Sequence, residues 1–219
     1  MNENLEAKNL SLKEVHHILQ FKRHLHSSFN YLPTIEQITK IELKKLEEIS
    51  LNFYEQYAEH HLSKEQIKLI VISPLMWMAG FYHPTIHILL QENIAVIKIK
   101  DENTIISIIK GQMDILSVSN GKNKAGINPQ WILLIETQNS SVNATDGLPQ
   151  LLTYAYKSLE IQKYVWGLTT NGMDYQFVFL QQGTQPTYHL FPKLDITRPE
   201  HAVRILKTLK AIRNLYEII

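Results

Sequence analysis

The chain has 219 residues, of which 44% are hydrophobic and 20% are charged. A chain of this length can bury a hydrophobic core without disulfides or structural metals. The absence of cysteine excludes disulfides, zinc-thiolate sites and cysteine nucleophiles. The net charge of +1 predicts no broad basic surface of the kind on which free-standing DNA-binding proteins rely. Since no run has the apolar length of a signal peptide or of a membrane span, roughly 18 residues, we expect a soluble, cytoplasmic protein without membrane contact.

The first 62 residues have the periodicity of helices and are predicted to form an N-terminal helical extension. A first helix is predicted from apolar residues at near-helical spacing, which are Val15, Ile18, Leu19, Phe21 and Leu25. A longer helix is predicted to begin at Pro33 or Thr34 and to end near Leu62. Its apolar side carries Ile35, Ile38, Leu46, Ile49 and Phe53.

A third helix is predicted to begin near Ser63, because Ser63 and Gln66 have the spacing of a capping box. Most of its residues are apolar, so we expect it to be buried. Pro74 lies inside it and predicts a kink or an end, and Gly80 is a suitable C-terminal stop.

From about residue 85 the pattern changes to short runs rich in β-branched residues, which are typical of strands. These runs are IHILL, NIAVIKIK and TIISIIKGQMDILSVS, followed by a polar loop over 119–130. The run WILLIETQ (131–138) is almost continuously apolar, which predicts a central strand covered on both faces. A helix over 144–160, further strands and a closing helix from about 198 to 219 complete a predicted α/β sandwich with a mixed sheet, residues 63–219.

Two acidic residues lie in these apolar strands. Asp114 interrupts GQMDILSV, and Glu136 lies near the end of WILLIETQ. Gln138 follows two positions after Glu136 and therefore points to the same side of the strand. A carboxylate in a buried strand is costly unless it is paired or binds a cation, and such oxygen ligands suit Mg²⁺ or Mn²⁺. Asp114 could instead pair with a backbone group at a bend in its strand.

The order of four segments resembles the PD-(D/E)XK nuclease superfamily, and in particular the N-terminal nuclease domain of the R subunit of type I restriction enzymes. The segments are SKEQIKLIVISPLMWMAGF, GQMDILSV, GLPQLLTYAY and WGLTTNGMDYQFVFL. This resemblance implies a restriction-endonuclease-like fold and hydrolysis of DNA phosphodiesters. It also implies that Asp114 and Glu136 bind Mg²⁺ or Mn²⁺, that Gln138 positions the attacking water, and that Gln150 and Tyr154 line the substrate side.

Two residues depart from the pattern of that superfamily. Gln138 stands where the family has a lysine, and Met113 replaces the proline before the acid. A neutral amide can hydrogen-bond water but brings no positive charge. Gln150 and Tyr154, four residues apart, share one helix face, which is equally typical of an ordinary helix surface with a half-buried tyrosine.

Three functions fit these residues. The first is a Mg²⁺-dependent endodeoxyribonuclease that acts on DNA. The second is a catalytically inactive nuclease-fold module for nucleic-acid or protein binding, which the near-neutral charge and Gln138 favour. The third is a helical assembly protein, in which residues 10–60 form a homodimer or dock a partner protein.

Overall fold

The computed structural model describes residues 2–24, 37–94, 97–100, 106–119 and 129–216. The predicted helix start at Pro33 or Thr34 lies outside these residues, as does most of the predicted polar loop, 120–128. Among the described residues, no helix combines the length and the apolar character that crossing a bilayer requires.

A large mixed sheet runs through the protein, as the sequence predicts. Its strand order is β2-β10-β9-β8-β7-β6-β3, with β11 beside β9, and β7 and β8 are parallel whereas β6 and β7 are antiparallel. A smaller sheet has the order β1-β5-β4. The strands are β1 (Asn2–Glu6), β2 (Lys22–His24), β3 (Ile86–Asn93), β4 (Ile97–Lys100), β5 (Ile106–Lys110), β6 (Gln112–Ser119), β7 (Gln130–Thr137), β8 (Tyr164–Thr170), β9 (Asp174–Gln181), β10 (Thr187–Leu190) and β11 (Leu194–Asp195).

Helices cover both faces of the large sheet. They are α1 (Leu12–Leu19), α2 (Lys40–Glu59), α3 (Lys64–Ile67), α4 (Ser73–Met78), α5 (Leu148–Ser158) and α6 (Pro199–Asn214). On one face α2, α3, α4 and α6 form one hydrophobic cluster with the sheet, and on the other face α1 and α5 form a second. In β7, Leu133 and Ile135 belong to the first cluster and Leu134 to the second, which confirms the prediction of a central strand buried on both faces.

The third predicted helix is present as α3 and α4, joined by a π-helical turn at Lys68–Ile72. It begins with the predicted capping box, since the Ser63 hydroxyl accepts from the amide of Gln66. The π turn ends two residues before Pro74, whose ring and missing N–H disrupt regular α-helical bonding. Gly80 follows with φ +84°, the left-handed conformation that ends a helix.

The N-terminal segment differs from the prediction of helices alone. The helices α1 and α2 are present, but residues 2–6 and 22–24 are strands that pair with β5 and β10. The spacing of apolar residues indicates local helices and strands, but it does not reveal which distant segments pair in a sheet. The helix α2 begins at Lys40, where Thr39 caps it in a box with Glu42. Its apolar side packs against the body of the chain and not outward.

Gly111 marks the point where the chain passes from the small sheet to the large one. It separates β5 from β6, which the sequence joins in one run. A Cβ at this position would lie 2.8 Å from the ring and hydroxyl of Tyr154, so only glycine lets the tyrosine approach the strand. This close approach brings α5 against the start of β6, where Asp114 follows.

Candidate active site

Neighbouring strands bring the two acids together. β6 and β7 are antiparallel, and Ile115 pairs with Ile135. Asp114 therefore lies opposite Glu136 on the neighbouring strand. The carboxylate of Asp114 also accepts a hydrogen bond of 2.9 Å from the backbone amide of Thr137. The bond to a backbone group, which the sequence left open for Asp114, is therefore present, and Glu136 is its neighbour on the adjacent strand.

Glu136 is completely buried, with 0% of its surface exposed. Its Oε2 atom has no hydrogen-bond partner among the described residues. Burial first, and then the negative charge of Asp114, raise the pKa of Glu136, the ammonium of Lys64 lowers it, and the net result is a pKa of about 8. An acid in this environment gains most from a cation that can satisfy the free oxygen.

Two lysines on the helix after Ser63 contact these acids, and the sequence did not identify them as site residues. Lys64 Nζ lies 3.3 Å from Glu136 Oε1 and 3.7 Å from Asp114 Oδ2. Lys68 Nζ lies 3.1 Å from Asp114 Oδ1. The i, i+4 spacing of the lysines indicates a shared face of the helix, but periodicity does not tell which strands this face meets.

A polar cavity of about 540 Å³ opens beside Asp114 and Lys64. Gln150 and Tyr154 line it together with these two residues. Gln150 Nε2 donates to the Tyr154 hydroxyl at 2.7 Å, and this hydroxyl donates to the carbonyl of Gln112 at 2.9 Å. Burial and the charge of Glu136 raise the pKa of Tyr154, so the phenol remains a hydrogen-bond donor.

Gln138 has a different environment from the other predicted site residues. Its backbone amide donates to the carbonyl of Thr170 at 2.7 Å. Its side chain packs beside Gly147, since a Cβ at Gly147 would lie 2.6 Å from Gln138 Nε2 and 3.2 Å from Glu136 Cγ. Gln138 is thus next to Glu136, and neither of the two is among the described residues that line the polar cavity.

The donor set at Asp114 and Glu136 fits one kind of cation. No group of three or more His, Asp or Glu side chains able to hold a metal is found in the described part of the chain. Two carboxylates with one free buried oxygen suit Mg²⁺ or Mn²⁺, which keeps water and substrate phosphate as its remaining ligands. Such a cation would compete with Lys64 for the same carboxylate oxygens.

A strained residue lies across from Asp114 in the sheet. In the pairing of β3 with β6, Leu90 faces Ile115 and Glu92 faces Met113, which leaves Gln91 opposite Asp114 without a regular pair. Gln91 has φ +53°, a left-handed conformation that costs about 1–3 kcal/mol for a residue with a side chain.

Replacing this strained residue is expected to stabilise the fold. Gln91→Gly should raise the free energy of unfolding by about 1 kcal/mol, because glycine adopts positive φ without steric cost. Glu92→Gly, at the next exposed position of the same strand, is the matched control and should lower it by about 0.5–1 kcal/mol. Urea unfolding followed by circular dichroism measures both, and two equal losses would show that the backbone at residue 91 is not strained.

No family model matches the chain, and no curated protein matches it significantly.

Proposed function

We propose that the chain is a divalent-metal-dependent nuclease domain of the restriction-endonuclease type, which hydrolyses DNA phosphodiesters. The observation that supports it best is the convergence of Asp114 and Glu136 on the single ammonium of Lys64, beside an open polar cavity. Asp114 lines this cavity and the buried Glu136 lies next to Asp114 on the neighbouring strand, and the resemblance to the superfamily implies two strand-borne acids side by side. The α/β architecture with a mixed central sheet agrees with this assignment.

In the proposed reaction a water oxygen bonds to phosphorus, one P–O ester bond breaks, and the departing oxygen takes up a proton. Asp114 and Glu136 would hold Mg²⁺ or Mn²⁺, which when bound supplies charge to the phosphate oxygens and makes water more acidic. Among the described residues, Lys64 is the cation that contacts both acids, and it is available to stabilise the negative charge of the phosphate.

The remaining predicted residues have supporting roles. Gln150 and Tyr154 line the polar cavity, where the second N–H of the Gln150 amide can donate to a phosphodiester backbone and Tyr154 holds that amide in place. Gln138 lies behind Glu136 against Gly147, so its amide acts on the position of the Glu136 side chain more directly than on a water in the cavity.

A cleavage assay tests the proposal. The purified protein is incubated with supercoiled plasmid and with end-labelled single-stranded and duplex oligonucleotides in Mg²⁺, in Mn²⁺ and in EDTA. We expect cleavage in either metal, none in EDTA, and none from an Asp114→Asn variant purified in parallel, which controls for contaminating nucleases. Absence of cleavage in both metals, or equal cleavage by the variant, would reject the proposal.

An inactive nuclease-fold module is the second candidate. The observation that favours it is the double ion pairing of Asp114, to Lys64 and Lys68, which neutralises the acids without a metal. Titration calorimetry separates the two functions, because an active site binds Mn²⁺ through Glu136 and loses this binding in Glu136→Ala. A wild-type protein that neither binds Mn²⁺ nor cuts DNA is the expected result for the inactive module.

A further inference from the structure

Asp114 lines two cavities. One is the polar cavity, and the other, of about 430 Å³, lies on the side of α3 and α4 and is called here the apolar cavity. The apolar cavity is lined by the side chains of Leu69, Met76, Tyr82 and Leu90. A group bound at Asp114 therefore has a charged surface on one side and a hydrophobic surface on the other.

Large hydrophobic side chains around the apolar cavity are exposed. The exposed fraction is 72% for Leu69, 64% for Leu90 and 49% for Tyr82. The Tyr82 hydroxyl and the Ser73 hydroxyl are 2.9 Å apart, and this hydrogen bond fixes the direction of the ring. Apolar side chains collected around one concave surface, with an oriented aromatic ring, are typical of a ligand site.

Polar groups stand at the edges of this surface. Lys68 and the strained Gln91 both line the apolar cavity, and Gln91 is held opposite Asp114 by the irregular pairing of β3 with β6. A backbone strained next to a candidate site is often part of how the site is built. The cavity thus combines an aromatic ring with an amide and with the ion pair of Lys68 and Glu65 at its edge.

We infer that the apolar cavity takes a nucleobase that neighbours the scissile phosphate, so the substrate is single-stranded or locally unpaired DNA. This inference rests on the proposed function, because it places the phosphate at Asp114. In a phosphodiester the phosphate is joined on either side to a nucleoside, and a base has an apolar face with polar edges, which matches the lining. A base that is paired and stacked in a duplex cannot enter such a cavity.

The test measures binding without cleavage. A short single-stranded oligonucleotide carrying 2-aminopurine and its duplex are titrated with the protein in Ca²⁺ and again in EDTA. We expect tighter binding of the single strand with quenching of the 2-aminopurine fluorescence. Tyr82→Ala should weaken single-strand binding by about 5- to 150-fold, the range for loss of one stacked base, and Tyr82→Phe should retain it. Tyr54→Ala, an exposed tyrosine on α2 at 54% exposure, is the matched control and should change nothing.

The outcomes separate this inference from the proposed function. Unchanged affinity in Tyr82→Ala, preference for the duplex, or no binding of the single strand would each overturn the base site, even where Mg²⁺-dependent cleavage is present. Affinity that depends on Tyr82, without any cleavage, would support the base site and reject hydrolysis. Concentration-dependent self-association lost in Tyr82→Ala, with no change in DNA binding, would reassign the surface to a protein contact and overturn the inference.

Discussion

Lys64→Met is expected to lower the rate of Mg²⁺-dependent phosphodiester hydrolysis by about 100- to 1000-fold, the usual effect of removing one well-placed electrostatic group from an active site. Members of the superfamily carry a lysine two residues after the second acid, whereas this chain has the neutral Gln138 there. Lys64 contacts both acids and lines the polar cavity together with Lys8 and Lys110, so its ammonium is a positive charge in reach of a phosphate bound beside the acids.

Single-turnover cleavage rates combined with Mn²⁺ calorimetry distinguish this role from a structural one. In Lys64→Met the rate should fall while Mn²⁺ affinity stays equal or increases, because the lysine competes with the cation for the carboxylates. Lys68→Met is the matched control, since Lys68 contacts Asp114 but lines only the apolar cavity, and its effect on the rate should be smaller. A rate in Lys64→Met equal to that of the wild type would contradict the assignment.

The central part of the fold was predictable because its signals are local. The uninterrupted apolar run of β7 requires helices on both faces, and the capping box at Ser63 sets the start of α3. Asp114 and Glu136 stood out because a charge in an apolar strand is costly. Their position as neighbours follows from the antiparallel pairing of β6 with β7, which strand order alone suggests.

The features that were missed all depend on contacts between distant parts of the chain. The small sheet joins residues 2–6 to β5, a pairing that no period in the sequence reveals. In the sequence, Lys64 and Lys68 look like ordinary surface lysines. Their role is visible only once it is known that their face of the helix contacts Asp114 and Glu136. The environment of Gln138 depends on the close approach of Gly147, which lies in a different element.

The stability of the metal-free protein is expected to fall as pH rises between about 4.5 and about 8, because Glu136 keeps its proton in the fold and loses it in the unfolded chain. In this window the folded state binds more protons, so each pH unit removes about 1.4 kcal/mol from the free energy of unfolding through this group. The stabilising contribution is complete below the unfolded pKa and is lost as pH passes the folded pKa. The total change is on the order of a few kcal/mol.

Urea unfolding in EDTA at a series of pH values tests this directly, with Glu136→Gln as the isosteric variant that cannot ionise. The variant should lack the downward slope and exceed the wild type in stability near pH 8, the folded pKa of Glu136. Asp114→Asn should move the upper end of the slope to lower pH without removing the slope, because the charge of Asp114 accounts for only part of the raised pKa of Glu136. Parallel curves for wild type and Glu136→Gln would show that Glu136 is ionised in the fold throughout.

Loss of the Glu136 proton is also coupled to binding of the metal ion. A metal bound by Glu136 needs the carboxylate, so below the folded pKa the apparent Mn²⁺ affinity of the wild type should rise about tenfold per pH unit and level off above it. Cation binding would then restore at high pH the stability that deprotonation removes, because the free Oε2 atom gains a partner. An affinity for Mn²⁺ independent of pH, together with a steep stability curve in EDTA, would place the cation elsewhere and leave Glu136 as a buried acid held by Lys64 alone.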